Sequence, residues 1–152
     1  LAQHGHRVVA TDVSERALDK ARALAERRGV EVEYRRVDLA GWEWPESAFD
    51  AVVGIFIQFA GPELREQMFE GIHRSLKPGG LLLLEGYREE QLVYGTGGPP
   101  NIENLYTEDG LRRAFSAWEI ELLEAYDAEI DEGRGHSGKS ALIDLIARKR
   151  NA

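Results

Sequence analysis

The spacing of hydrophobic and polar residues changes repeatedly along the chain. Short apolar runs are typical of buried strands, whereas apolar residues that recur every three or four positions are typical of one helical face. Six segments have the strand pattern: residues 7–11, 31–37, 49–53, 81–85, 118–128 and 141–148. Three helices are expected to begin near Ser14, Pro62 and Thr107, because these residue types are favoured at helix starts.

The order of these segments predicts the fold class. Strands that alternate with helices imply right-handed crossovers and parallel neighbours. The last two strands have only a loop between them, so they should pair as an antiparallel hairpin. We therefore expect an α/β fold, a doubly wound and mostly parallel Rossmann-like sheet with a C-terminal antiparallel hairpin.

Glycine and proline mark two further features of the chain. Lys77-Pro78-Gly79-Gly80 should end the second helix before the buried strand that follows. Residues 91–106 contain three glycines and two prolines, which predicts a long irregular loop. Because long loops in compact domains are often functional, we expect residues 94–106 to act as a lid over a ligand pocket.

Length, composition and charge narrow the function classes. The 152 residues fit one domain covering residues 1–152, and the lack of cysteine excludes disulfides and thiolate catalysis within them. With 27 acidic against 19 basic residues, the net charge of −8 argues against a nucleic-acid partner. The chain lacks both a run of ~18 apolar residues, as a membrane span requires, and a secretory signal. We therefore expect a cytoplasmic protein with no membrane partner and, from the spacing of its histidines, no metal site.

Carboxylates occur at the ends of the first two predicted strands, at Asp12 and Asp38. In open α/β sheets, ligands bind outside the carboxyl ends of the strands. A carboxylate there can accept hydrogen bonds from both hydroxyls of a ribose, and Asp38 could accept one from the exocyclic amine of an adenine. The alternative is that both carboxylates only cap the turns that follow. Their occurrence at two successive strand ends favours a nucleoside ligand.

Four stretches of the chain occur in a characteristic order and spacing: His6-Arg7-Val8-Val9-Ala10-Thr11-Asp12-Val13-Ser14, Val37-Asp38-Leu39, Phe49-Asp50-Ala51-Val52-Val53 and Leu76-Lys77-Pro78-Gly79-Gly80. Together they resemble the class I S-adenosylmethionine-dependent methyltransferases, especially the small-molecule branch of tellurite-resistance and thiopurine type. The resemblance implies S-adenosylmethionine as the cofactor and a small-molecule methyl acceptor as the partner.

The resemblance also implies which residues bind the nucleoside half of the cofactor. Asp12 would bind the ribose hydroxyls, with Val13 against the adenine ring. Asp38 and Leu39 would flank the same ring.

The methionine half would lie beside Gly54 and Ile55, at the end of the third predicted strand. In the family, a glycine-rich loop after an earlier strand also touches this half, and its position here would precede Leu1. We therefore expect an N-terminally incomplete domain, with the first strand and the glycine-rich loop absent from this chain. The open place in the sheet could be closed by direct pairing of its neighbours, by a second copy in a homodimer, or by an upstream segment, which we favour.

Candidate residues for binding the acceptor follow the third and fourth strands. Gln58 places a polar side chain just past the third strand, and Tyr87, Tyr94 and Tyr106 frame the predicted loop. Simple packing of the loop is the alternative for the tyrosines. His136 could act as a base, although a solvated loop histidine is the more common case. No residue stands out as an obligatory base, so the catalytic residues stay unassigned.

Methyl transfer is the favoured function, and two alternatives stay open. A methyl group on a sulfonium is already activated, so the protein mainly has to align the donor with the acceptor and exclude water. An acidic residue at a strand end also serves the ribose of nicotinamide cofactors, which leaves an NAD(P)-dependent oxidoreductase domain as the second interpretation. A non-catalytic fragment that pairs with another chain is the third.

Overall fold

The structure, a computed structural model, describes residues 1–131 and 137–151. Six strands occur in it: β1 (Val9–Asp12), β2 (Glu33–Arg36), β3 (Phe49–Ile55), β4 (Leu76–Tyr87), β5 (Glu119–Asp131) and β6 (Ser137–Arg148). Four α-helices lie between them: α1 (Glu15–Arg28), α2 (Pro62–Ser75), α3 (Gln91–Tyr94) and α4 (Glu108–Ala114). Two 3₁₀ turns complete the described elements: Ala2–His4 and Ile102–Asn104.

The chain divides into two compact units, Leu1–Glu43 and Trp44–Ala152. In the first unit, β1 and β2 form a parallel two-stranded sheet. In the second, four strands have the order β3-β4-β6-β5, in which β3 and β4 are parallel and β6 is antiparallel to both neighbours. The expected α/β fold with parallel strand pairs and a C-terminal antiparallel hairpin is confirmed. The described strands are hydrogen-bonded as two sheets, of two and four strands.

Local signals in the sequence account for the first unit. The Ser14 hydroxyl accepts a hydrogen bond from the Ala17 N–H at 3.3 Å and caps α1 as expected. Gly29 ends the helix with a φ of 62°, a left-handed conformation that glycine adopts without strain. The Tyr34 hydroxyl donates to the Ala21 carbonyl at 2.9 Å and so ties β2 to the helix.

The second unit has an extensive apolar core, formed by one face of its sheet together with α2 and α4. Its buried members are Ile72, Leu76, Leu82, Leu84, Tyr106, Leu111, Phe115, Trp118, Ile143, Leu145 and Ala147. The Trp44 indole packs directly on α2 at Gly71, where a Cβ atom would come within 2.3 Å of the ring. Only glycine permits that contact, so Gly71 fixes the beginning of this unit against its first helix.

The Lys77–Gly80 segment differs from its predicted role as a separate turn. Helix α2 already ends at Ser75, and the four residues belong to the irregular start of β4, where the register with β3 shifts. Gly79 has a φ of 75°, and a Cβ atom at Gly80 would lie 2.9 Å from the Lys77 carbonyl oxygen. Both backbone conformation and close approach therefore require the glycine pair here.

Candidate functional site

The carboxyl ends of β1 and β2 hold the two predicted acidic residues. The strands are parallel, and the Val37 N–H donates to the Asp12 carbonyl at 3.0 Å, so both ends lie at one edge of the small sheet. One carboxylate oxygen of Asp12 accepts the Ser14 N–H at 2.7 Å, and one of Asp38 accepts the Ala40 N–H at 3.1 Å. Both carboxylates therefore do cap the turns that follow them.

Capping leaves a ligand-binding role open for these two aspartates. Asp12 and Asp38 are both exposed, and the second carboxylate oxygen of each has no partner among the described residues. The backbone hydrogen bond fixes each carboxylate, while the other oxygen can still accept from a hydroxyl or an amine. Each side chain thus combines a defined orientation with free acceptor capacity.

Two apolar side chains adjoin these carboxylates in the first unit. Val13 is 60% exposed, and Leu39 is half-buried. The Arg36 guanidinium donates to the Val13 carbonyl at 3.2 Å and holds the backbone at this point. The structure therefore brings all four predicted nucleoside-binding residues to the same edge of the sheet.

A groove of about 590 Å³ in the first unit lies elsewhere. It is lined by Arg7, Val8 and residues 30–34 together with part of α1, which places it at the amino ends of the two strands. Ligands of open α/β sheets bind at the opposite edge, so this groove does not coincide with the predicted nucleoside site.

In the second unit, Gly54 and Ile55 end β3. Gly54 is buried, and a Cβ atom there would lie 2.9 Å from the Ile57 side chain. Ile55 is 47% exposed and pairs in register with Glu85 of β4. Phe56 follows with a φ of 52°, a left-handed conformation that costs free energy in any residue other than glycine. The strand end is therefore both closely packed and conformationally unusual.

Gln58 is buried rather than open to a pocket, with 2% of its surface exposed. Its amide nitrogen donates to the carbonyls of Tyr87 at 2.8 Å and Asn104 at 3.1 Å. Its amide oxygen accepts the Tyr87 N–H at 2.6 Å. The side chain holds protein backbone, and sequence reasoning missed this because both partners are far away along the chain. Contact between Gln58 and a substrate stays a prediction.

The three predicted substrate-binding tyrosines are used in different ways. Tyr87 and Tyr106 are buried and adjacent, since the Tyr106 N–H donates to the Tyr87 carbonyl at 2.9 Å. Burial raises the pKa of the Tyr106 hydroxyl well above its usual value, so this group stays protonated. The Tyr94 hydroxyl instead donates to Asp127 at 2.6 Å on β5, and this hydrogen bond lowers the pKa of that carboxyl. The structure brings Tyr87 and Tyr106 together and directs Tyr94 to the hairpin.

The predicted loop contains two short helical segments and is tied down at its start. The Gln91 side chain is buried, donates to the Thr96 hydroxyl at 2.9 Å and accepts the Ala141 N–H of β6, also at 2.9 Å. Gln91 also donates to the Gly97 carbonyl at 3.1 Å, so motion as a lid would have to occur beyond Gly97. A lid role for residues 94–106 stays a prediction.

A groove of about 970 Å³ between α2 and α4 extends to the loop after β4. Tyr106, Phe69, Phe115 and Trp118 contribute aromatic surface to it. His73 also lines it with its ring 5.4 Å from that of Trp118; partial burial and then the charge of Lys149 lower the pKa of this imidazole. The sequence signal for the groove is the helical spacing of Phe69 and His73, beside the buried positions Met68 and Ile72.

Two further findings concern the described residues as a whole. Across residues 1–131 and 137–151, no three histidine, aspartate or glutamate side chains are grouped so that they could hold a metal ion. Each described helix falls short of the length and hydrophobicity needed to cross a membrane. The candidate base His136 lies outside the described residues.

Comparison with known proteins identifies a family. A family model described as a methyltransferase domain matches residues 1–80, more than half of the chain. A highly reducing polyketide synthase, acrA of Aspergillus aculeatus, is 36% identical over an alignment of 80 residues that covers 49% of this chain. The chain spans only 3% of the length of that synthase.

Solved structures share the fold over almost the whole chain. A SAM-dependent methyltransferase from Methanosarcina mazei superposes with a TM-score of 0.79 and 18% identity, covering 99% of this chain and 85% of that one. TehB from Haemophilus influenzae gives a TM-score of 0.77 and 17% identity, covering 98% of this chain and 52% of that one. At such identities the likeness establishes the fold, and the family rests on the sequence match. The chain is a methyltransferase domain and belongs to the S-adenosylmethionine-dependent methyltransferase family.

Proposed function

We propose that this chain transfers the methyl group of S-adenosylmethionine to a small-molecule acceptor, as in the tellurite-resistance and thiopurine-type branch of its family. The observation that carries the proposal is the pair of strand-end carboxylates, Asp12 and Asp38, each oriented by a backbone N–H and each with an oxygen still free to accept. When bound, the cofactor supplies a methyl group on a positively charged sulfur. The protein's task is to bind, align and exclude water.

The first unit binds the nucleoside half in this proposal. Asp12 accepts from the ribose hydroxyls, Asp38 accepts from the adenine amine, and Val13 and Leu39 cover the ring. The exposure of Val13 supports this role, because its apolar surface is available to a flat ring. The turn hydrogen bonds of both carboxylates lower the entropy lost on binding.

Gly54 and Ile55 lie beside the methionine half in the same proposal. Gly54 has no room for a side chain, because a Cβ atom there would lie 2.9 Å from the Ile57 side chain, so only glycine lets the strand end pack this closely. Ile55 adds exposed apolar surface directly after it.

Gln58, Tyr87, Tyr94 and Tyr106 remain the candidates for shaping the acceptor site. The burial of Gln58 and Tyr87 supports an indirect role, through the backbone that they hold. Tyr106 has the additional feature that it borders the groove between α2 and α4. We further propose that residues 1–152 work as a single domain. A homodimer is a possible assembly of this domain, and sedimentation would test it.

Calorimetry with S-adenosylhomocysteine and with NAD tests the function directly. We expect the first ligand to bind and the second not to bind. Asp12→Ala should weaken S-adenosylhomocysteine about ten- to a hundredfold, because a hydrogen bond to a charged acceptor contributes roughly 1.5–3 kcal/mol. Glu31→Ala is the matched control, since it removes an exposed carboxylate at the opposite end of β2. Binding of NAD alone, or equal losses in the two variants, would overturn the proposal.

A further inference from the structure

A buried pair of side-chain amides, Gln58 and Asn104, lies where β3 and β4 end, and we call it the amide clamp. The amide nitrogen of Gln58 donates to the Asn104 carbonyl, and that of Asn104 donates to the Gln58 carbonyl, both at 3.1 Å. Gln58 also makes one bond to the carbonyl and one to the N–H of Tyr87. The clamp therefore joins three segments: the residues after β3, the last residue of β4 and the 3₁₀ turn.

Apolar side chains could not replace these amides without loss. Gln58 and Asn104 are both buried, so water cannot reach the backbone groups that they satisfy. Replacement would leave the N–H and one acceptor site of Tyr87, together with both carbonyls of the pair, short of partners. Gly86 adds a geometric requirement, because a Cβ atom there would lie 2.8 Å from the Gln58 amide oxygen and 2.7 Å from the Tyr106 ring.

The clamp binds the backbone of Tyr87, and the Tyr87 ring packs against a strained residue next to the proposed methionine-binding strand end. Phe56 has its left-handed φ of 52° two positions before Gln58. Its ring stacks on Tyr87 with centroids 4.6 Å apart, and its N–H donates to the Glu85 carbonyl at 2.9 Å. Such strain persists only where the surrounding structure holds it. Tyr87 stacks under the Phe56 ring, and Gln58 binds both the carbonyl and the N–H of Tyr87.

We propose that Gln58 and Asn104 are positioning residues, which fix the strand end at Gly54–Phe56 in the conformation that binds the cofactor. The proposal rests on the proposed function and deepens it. It gives Gln58 a role through backbone geometry in place of direct contact with a substrate. It also links the loop after β4 to the cofactor site, because Asn104 belongs to that loop.

Gln91 provides a matched control within the same unit. It is 1% exposed, and its amide also makes three hydrogen bonds, to the Thr96 hydroxyl, the Gly97 carbonyl and the Ala141 N–H. These bonds tie the loop to β6 and do not involve the residues after β3. Gln58→Met and Gln91→Met therefore remove similar interactions and keep similar volume, at two places with different neighbours.

The test measures the dissociation constant of S-adenosylhomocysteine together with hydrogen exchange and melting temperature, in the full chain. Gln58→Met should raise the dissociation constant of S-adenosylhomocysteine about tenfold, which is the effect expected when one or two hydrogen bonds that shape the site are lost. It should also speed exchange of the Tyr87 and Tyr106 amides about tenfold. Gln91→Met should lower the melting temperature to a similar extent but change the dissociation constant less than about twofold.

If Gln58→Met fails to fold, Asn104→Ser provides the test instead. This substitution removes the hydrogen bond from the Asn104 amide to the Gln58 carbonyl and leaves the Gln58 side chain in place. It should weaken the ligand about threefold. Equal effects of the Gln58 and Gln91 substitutions on binding, or an unchanged dissociation constant in Gln58→Met and Asn104→Ser, would overturn the clamp's role alone. Failure of the unsubstituted chain to bind S-adenosylhomocysteine would instead overturn the proposed function, and the role with it.

Discussion

The two units of this chain hold their candidate residues in different ways. Of residues 1–43, all of which the structure describes, only Leu18 and Ala25 are buried, and Asp12 and Asp38 are oriented by short-range turns. The second unit has a large apolar core, and Gln58 is held by partners 29 and 46 positions away. A site residue can thus be fixed by local hydrogen bonds or by packing, and the two cases should respond differently to substitution.

The largest difference is expected from equivalent core truncations. Leu82 is fully buried within the core of the second unit, so Leu82→Ala should cost about 3–5 kcal/mol of unfolding free energy. Leu18 is buried too, but it has few buried neighbours in its unit, so the site can collapse and Leu18→Ala should cost about 2–3 kcal/mol. Urea unfolding measures both. A larger loss of unfolding free energy in Leu18→Ala than in Leu82→Ala would show that the first unit is packed more tightly than its few buried residues indicate.

The second-largest difference between the units is expected in the rates of amide hydrogen exchange of the unsubstituted protein. Amides of α1 depend on a helix with two buried residues, whereas those of β6 lie in the middle of a sheet on an apolar core. We expect α1 to exchange on the order of a hundredfold faster than β6, since local openings need less free energy where little is buried. S-adenosylhomocysteine should slow exchange in the first unit. Uniform protection across both units would contradict the comparison.

The two units differ mainly in how far apart along the sequence their interacting residues lie. The same separation decides which features could be predicted from the sequence. The bounds of α1 were predictable because Ser14 and Gly29 are local signals. The start of β4 was not, since residues 77–80 are shaped by hydrogen bonds between Gly79, Gly80 and the distant Lys149. The hairpin was predicted from adjacency alone.

The residues of the candidate site also differ in whether local or long-range interactions hold them. Asp12 and Asp38 could be found from sequence because a strand followed by an acidic residue is a contiguous pattern. The clamp could not, because the sequence shows a glutamine after a strand but not which backbone groups fold onto it. The helix α3 was missed for the same reason, since Gln91 is held by Ala141, 50 positions away. The 3₁₀ turn at Ile102–Asn104 was missed too, and Asn104 in it is held by Gln58, 46 positions away.

Two helix caps offer a smaller and closely matched contrast. The Ser14 hydroxyl accepts from Ala17 in the first unit, and the Thr107 hydroxyl accepts from Gly110 at 3.0 Å in the second. Ser14→Ala and Thr107→Ala should each cost about 1 kcal/mol. Only Ser14→Ala should also slightly weaken S-adenosylhomocysteine binding, because alanine keeps the backbone N–H that orients Asp12 but loses the hydroxyl bond that holds residue 14 at the start of α1. Calorimetry and urea unfolding of both variants test this, and weaker binding in Thr107→Ala would remove the distinction.

The smallest expected effect concerns pH and belongs to the second unit. Partial burial and the nearby charge of Lys149 lower the pKa of His73, so the folded chain binds this proton less tightly than the unfolded chain does. As the pH falls through the unfolded pKa of about 6.5, proton uptake therefore favours unfolding, and the stability of this unit should decline slightly between about pH 7 and 5. His73→Gln should flatten the decline. A nuclear magnetic resonance titration of the imidazole gives the direct measurement: a His73 pKa of about 6.5 would mean no contribution to the pH dependence, and a higher one would reverse its sign.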